Sequence, residues 1–240
     1  MGFICDKFHK NERSKAFNSF LPRVQKNYYI QSGDLDSFVG KLSQERLLYL
    51  PVETTPPAAT GKDYVYRKFI PGQRLSFNPY RLREPLKSFF TYSQENVSEY
   101  FTEDRPSNPQ SIVIFGVKSC DIAGHKIQDF VFLEGVEVDS LYRMRRENTI
   151  FISGDCTDFK EVCHCLAWEI LPYPTEGFDL NLSPLNDGYL VDVGSAKGEA
   201  LLALYKDYFT QAKEAQLSAR KAKRDNLIDR LKRHLLPQNL

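Results

Sequence analysis

Four of the five cysteines in this 240-residue chain, Cys120, Cys156, Cys163 and Cys165, fall in its second half, and that many thiols can complete one thiolate-bound metal or iron–sulfur site. Cys120 follows the apolar run Ile112-Val113-Ile114-Phe115-Gly116-Val117, Cys156 follows Thr149-Ile150-Phe151-Ile152-Ser153, and the last two flank His164. The spacing Cys-x35-Cys-x6-Cys-x-Cys is neither the close ferredoxin run nor a paired Cys-x2-Cys zinc ribbon, so spacing alone leaves the metal open. Soft thiolates suit zinc and iron–sulfur clusters alike. Ligands drawn from separated strand ends and a loop suit a cubane, whose irons are spread out, better than a single ion held by tight knuckles. Buried, unliganded cysteines are the remaining reading. His164 could replace one thiol but reads first as a bystander, and Cys5, alone in a polar leader, reads as an incidental free thiol.

An odd cysteine count without a secretory signal argues for reduced thiols and a soluble, cytoplasmic protein rather than a disulfide framework. No run approaches the roughly 18 residues of a membrane span. A formal net charge of +1 carries no global signature for nucleic acid. Neither Gly-x-Gly-x2-Gly nor Gly-x4-Gly-Lys occurs, which leaves nucleotide binding without a motif. Two competing classes remain: a zinc-binding structural or interaction protein, and a thiol enzyme using Cys120, for which no His or Asn partner can be assigned.

The elements that must position the thiols follow from hydrophobic period. Asp34 is an expected N-cap for a helix with Leu35, Phe38, Val39 and Leu42 on one face, and Leu47-Leu48-Tyr49-Leu50 reads as a strand stopped by Pro51. A loop over 54–62 leads to a half-exposed strand over 64–69. Residues 74–110 are aromatic and broken by prolines, with one helix at 94–101. The continuous apolar stretch 111–117 predicts a strand covered on both faces, followed by a helix over about 121–132 capped by Asp121. A second such strand spans 149–153, and the connection between the two is long enough to join parallel strands. A right-handed crossover would then bring Cys120 and Cys156 to one edge, on strands about 4.8 Å apart if adjacent.

Residues 178–182 and 189–193 read as a hairpin around Asn186-Asp187-Gly188. A long helix from Lys197 spaces Leu201, Tyr205, Tyr208, Ala212, Ala215, Ala219 and Ala222 as an apolar seam. Its basic end, with Arg220, Lys221, Lys223, Arg224, Arg230, Lys232 and Arg233, reads as a solvated face rather than a nucleic-acid contact. The expected fold is α/β, a mixed sheet with flanking helices and a long C-terminal helix. Its expected organisation is a leader or arm at 1–30, an α/β cluster-binding domain at 31–196 and a helical extension at 197–240.

The ordered series Phe115-Gly116-Val117-Lys118-Ser119-Cys120-Asp121-Ile122-Ala123-Gly124, Asp129-Phe130-Val131-Phe132, Tyr142-Arg143-Met144-Arg145-Arg146-Glu147-Asn148, Cys163-His164-Cys165, Phe178-Asp179-Leu180 and Gly194-Ser195-Ala196-Lys197-Gly198 resembles the beta subunit of sulfhydrogenases and the A subunit of anaerobic sulfite reductase. The likeness covers roughly 47–204. It implies a non-catalytic iron–sulfur electron-transfer subunit of an anaerobic multi-subunit oxidoreductase, with one 4Fe-4S cluster on Cys120, Cys156, Cys163 and Cys165. It also implies other oxidoreductase subunits as partners, such as a flavin- or NAD-binding subunit or a ferredoxin.

Lys118-Ser119 stands where that family has Arg-Pro, and His164 where it has Phe; neither change removes a thiol. The family normally continues into a ferredoxin-like module with two further cysteine runs. These 240 residues hold neither run, so onward clusters are expected on another subunit or in a longer form. Lys118, Arg143, Arg145 and Arg146 are candidates to offset cluster charge or meet a partner, with surface salt bridges as the other reading. Asp121 reads as a cap and Asp129 as a helix-packing residue.

Overall fold

The computed structural model describes residues 27–54, 62–73, 75–91 and 111–235. Cys5, leader residues 1–26, the helix expected at 94–101 and most of the 54–62 loop lie outside the described residues, while residues 27–30, expected in the leader, belong to the first strand. Eight strands form one sheet: β1 (Asn27–Gln31), β2 (Leu47–Glu53), β3 (Tyr64–Lys68), β4 (Ile112–Val117), β5 (Thr149–Gly154), β6 (Leu180–Pro184), β7 (Gly188–Val193) and β8 (Thr210–Gln211). They lie in the order β3-β2-β4-β5-β6-β7-β1-β8. The centre β2-β4-β5-β6 is parallel and every other pair is antiparallel, which is the mixed α/β sheet expected from sequence.

The parallel centre follows from composition. Val113, Ile114, Phe115 and Val117 of β4 are fully buried, as are most apolar side chains of β5, because helices and loops cover both faces. Each such side chain contributes roughly 1.5–3 kcal/mol by leaving water. On one face α1 (Ser32–Glu45) and α4 (Ala196–Leu204) pack over Val113, Phe115 and Ile152. On the other, α2 (Ser119–Leu133) and α3 (Ser140–Glu147) pack with Phe90 over Ile114, Val117 and Phe151.

Local expectations met the structure unevenly. The face Leu35, Phe38, Val39 and Leu42 is buried as its period required, but α1 starts before Asp34. Ser32 donates both its N–H and its hydroxyl to the carbonyl of Asp187, which fixes the first turn against the β6–β7 turn. Strand β2 runs through Pro51 instead of stopping there. It pairs with β4 only over Leu47–Tyr49, so the proline, which has no N–H, lies where β2 has just one neighbour.

The seam expected as one helix from Lys197 is divided. Tyr205 and Tyr208 pack around Phe38 of α1, Thr210–Gln211 add β8 to the sheet, and α5 (Glu214–Leu235) follows as the long C-terminal helix. Its buried residues are Leu227 and Leu231, not the alanine stripe.

Candidate metal centre

Parallel pairing of β4 with β5, Val113 opposite Ile150 and Phe115 opposite Ile152, sends both strands toward the same edge of the sheet. Cys120 lies three residues beyond β4 and Cys156 two beyond β5. The register slips at Gly116, whose φ of 72° is left-handed. A Cβ there would lie 2.3 Å from Asn78 Oδ1 and 2.9 Å from Pro51 Cγ, so only glycine fits. This bulge puts Val117 on the same face as Ile114 and turns the following residue inward. Cys120 then falls in the first turn of α2, where the helix dipole favours negative charge. Asp121, expected to cap this helix, lies inside its first turn; the cap position belongs to Lys118, which makes no side-chain cap bond.

Beyond β5 the Cys156 N–H donates to the Pro172 carbonyl at 2.8 Å. The chain then turns back: Cys163 N–H donates to Lys160 O at 2.8 Å, and Lys160 N–H points to Cys163 Sγ at 3.3 Å. Cys165 opens a short 3-10 turn ending at Trp168, whose indole is 72% exposed. His164 faces solvent with Nδ1 on the Val162 carbonyl.

The four thiols lie within one another's electrostatic reach. Burial pushes the Cys120 thiol well up from its ordinary value, and Asp121, Cys156 and Cys165 push the same way while Arg81 opposes them. Cys156 is pushed up to about 12, first by burial and then by Cys165, Cys163 and Asp155, against the lowering effect of Lys118. Cys165 is raised by burial and by Cys163. Among the described residues no three His, Cys, Asp or Glu side chains converge closely enough to hold a single metal ion.

Other groups converge on the same edge. The fully buried Lys118 reaches under the end of β5, and its ammonium donates to the carbonyls of Gly154 and Asp155. Tyr66 of β3 is 5% exposed, its hydroxyl has no partner among the described residues, and its ionised form would be opposed by Asp121 and Cys120. Helix α5 straps the cysteine loop. Arg224 grips Asp155 with Nε–Oδ2 at 2.7 Å and Nη2–Oδ1 at 3.1 Å, and lies 3.9 Å over the Tyr173 ring. Arg230 donates to Asp158, and His234 meets the Glu161 carbonyl. A cavity of about 440 Å³ between α5 and this edge is bordered by Cys156, Arg224 and Leu227.

Several charges serve differently from their sequence reading. Arg220, Arg224 and Arg230 are anchors of α5 to Asp192, Asp155 and Asp158, not a solvated face. Arg145 and Arg146 sit on α3, which delivers the chain to the amino end of β5, opposite Cys156. Arg145 donates to the Phe90 carbonyl, and Arg146 pairs with Asp129 on α2. Asp129 thus packs α2 on α3, accepting also from the Tyr142 hydroxyl at 2.7 Å. Tyr66 and Arg81 escaped the sequence reading because each comes from chain far from the cysteines in sequence, and Asp155 because its partner Arg224 lies far away on α5.

No protein-family model matches the chain. It is similar to Sulfhydrogenase 2 subunit beta of Pyrococcus furiosus, at 34% identity over 133 residues. The match covers 55% of this chain and 37% of the relative, so the chain spans well under half of the protein it resembles. Among the described residues no helix is long and apolar enough to cross a membrane.

Proposed function

We propose that the chain is a cytoplasmic electron-transfer subunit of an anaerobic oxidoreductase complex, holding one 4Fe-4S cluster on Cys120, Cys156, Cys163 and Cys165. The observation that carries this reading is the adjacent, parallel β4–β5 pair, which sends Cys120 and Cys156 to one edge where the Cys163–Cys165 loop also folds. The donor set fits such a cluster. Four thiols are the usual complement, and the Lys160 N–H on Cys163 Sγ is the kind of bond that tunes cluster sulfur. The unpartnered Tyr66 hydroxyl is a further donor beside Cys120.

Such a cluster supplies reversible one-electron transfer between a reduced centre on a donor subunit and an oxidised centre on an acceptor. The chain's own residues hold the thiols and limit water. The half-buried Cys120 and Cys156 would hold the inner side, and residues of α5 border the cavity beside Cys156. The loop bearing Cys163 and Cys165, flanked by exposed Val162 and Trp168, is the face nearest solvent and the natural approach for a partner centre. No acid or base is required. The relative's name, a sulfhydrogenase subunit, supports partnership with other subunits of such a complex; a flavin- or NAD-binding subunit or a ferredoxin is the partner this reading proposes.

Anaerobic purification with iron and sulfide analysis tests the reading, followed by electron paramagnetic resonance of the dithionite-reduced protein. Four iron and four sulfide per chain, with a reducible paramagnetic signal, is the expected result. A colourless protein with one equivalent of zinc would replace the reading with a zinc-binding interaction protein. A metal-free protein with one rapidly alkylated thiol would replace it with a thiol enzyme.

A further inference from the structure

Lys118 occupies the single step between β4 and α2, and its side chain is 0% exposed. Lysine is almost never fully buried unless paired, because removing an ammonium from water is costly. Here Nζ donates to Gly154 O at 3.1 Å and Asp155 O at 3.0 Å, the carbonyls of the two residues before Cys156. Both acceptors are neutral, so these bonds orient the ammonium without cancelling its charge. Burial lowers its pKa, and Cys156, Asp155, Asp121 and Cys120 oppose that by favouring the charged form. Asp155 is already gripped by Arg224, which leaves Asp121 and the sulfurs of Cys120 and Cys156 as the other groups that favour the ammonium's charge.

The Gly116 bulge, the interior course of the side chain and the two carbonyl bonds fix this cation between the Cys120 and Cys156 arms. Arg81, the other cation acting on Cys120, is exposed, and water weakens its field.

We propose that Lys118 is the resident counter-charge of the cluster, a buried cation that raises its reduction potential by favouring the added electron. The inference rests on the cluster reading of the preceding subsection. When one electron arrives from a low-potential donor, the donor is oxidised and the cluster reduced by one. No bond forms or breaks, and the ammonium keeps its proton and both carbonyls. A unit charge a few ångströms away in a site of intermediate dielectric changes the oxidised-to-reduced ratio by at least about tenfold, or about 59 mV for one electron.

The test is a mediated redox titration of the full chain, read by electron paramagnetic resonance, on wild type, Lys118→Gln and Lys118→Arg, with circular dichroism as the folding check. Support is a Lys118→Gln potential lower by at least about tenfold in the ratio while Lys118→Arg stays within about threefold of wild type. Loading by Lys118→Arg but not by a folded Lys118→Gln also supports a required cation. The inference is overturned if Lys118→Gln loads at the wild-type potential, if Lys118→Arg shifts as far as Lys118→Gln, or if both variants fail to load or fold, since a purely structural lysine gives those results. A wild-type chain that takes up no iron and sulfide sinks the functional reading itself, and the inference falls with it.

Discussion

Replacing Arg224 by alanine removes the central anchor of α5 from the residue that precedes Cys156. The guanidinium makes two bonds to the Asp155 carboxylate, at 2.7 and 3.1 Å, and one to Ser183 Oγ at 3.1 Å. Asp155 is 6% exposed and the Arg224 side chain 18%, so the pair is largely shielded from water. Truncating one partner of a buried ion pair costs about 3–5 kcal/mol because the other charge is stranded. Asn181 Nδ2 would still donate to Asp155 at 2.9 Å and Arg224 is not wholly buried, so a loss of about 2–3 kcal/mol is expected. Urea unfolding of the metal-free chain measures it, and a cycle with Asp155→Asn should give a coupling of at least about 1 kcal/mol. The loaded variant should also release iron faster than wild type, because the Cys156 arm has lost its outer support. A destabilisation under about 0.5 kcal/mol, the worth of a solvated surface pair, or additive single variants, would refute the argument.

Alanine at Cys120, Cys156, Cys163 or Cys165 should each abolish cluster loading while Cys5→Ala loads normally; iron and sulfide analysis decides, and full loading in any of the four breaks the ligand set. Gly116→Ala should destabilise the fold by about 2–3 kcal/mol and impair loading, since its Cβ meets Asn78 and Pro51 at a left-handed φ; a loss under about 0.5 kcal/mol on urea unfolding would deny the bulge its steric role. His125 is packed against Phe90 and Phe151, with Tyr142, Gln128, Asp129 and Arg146 as polar neighbours. Burial lowers its pKa against the opposing pull of Asp129. Below about 6.5 the unfolded chain therefore binds a proton that the folded chain refuses, and stability should fall as pH drops through that value. His125→Gln should flatten that slope in urea midpoints taken across the window, and an unchanged slope would remove His125 as its source.

What the sequence disclosed was what hydrophobic period and turn chemistry record locally. The runs 112–117 and 150–152 carry no polar side chain, which requires cover on both faces and so a parallel centre. Asn186-Asp187-Gly188 marked the β6–β7 hairpin for the same local reason. The misses come from partners supplied by distant chain. Pro51 was read as a stop because β3 on one side and the early end of β4 on the other are invisible from β2 alone. The C-terminal seam looked continuous because alanines and tyrosines at a four-three spacing suit one helix. In the fold the tyrosines are claimed by Phe38, and Thr210 by the backbone of β1. Arg220, Arg224 and Arg230 of α5 looked solvated because Asp192, Asp155 and Asp158 lie far away in sequence, whereas Lys221, Lys223, Lys232 and Arg233 are exposed as expected. At the site, the thiols announced themselves by residue type. Tyr66 and Arg81 did not, since a lone tyrosine or arginine has no pattern until the sheet forms.

Strand β1 is flanked by β7 and β8, both from the far end of the described chain, so the half-sheet they form cannot close early in synthesis. Pairings between such remote segments form late, and the last of them must wait until residues 210–211 have left the ribosome. All four thiols have been translated by then. The proposed ligands are therefore all available before the sheet closes, so cluster loading would not have to wait for the finished scaffold.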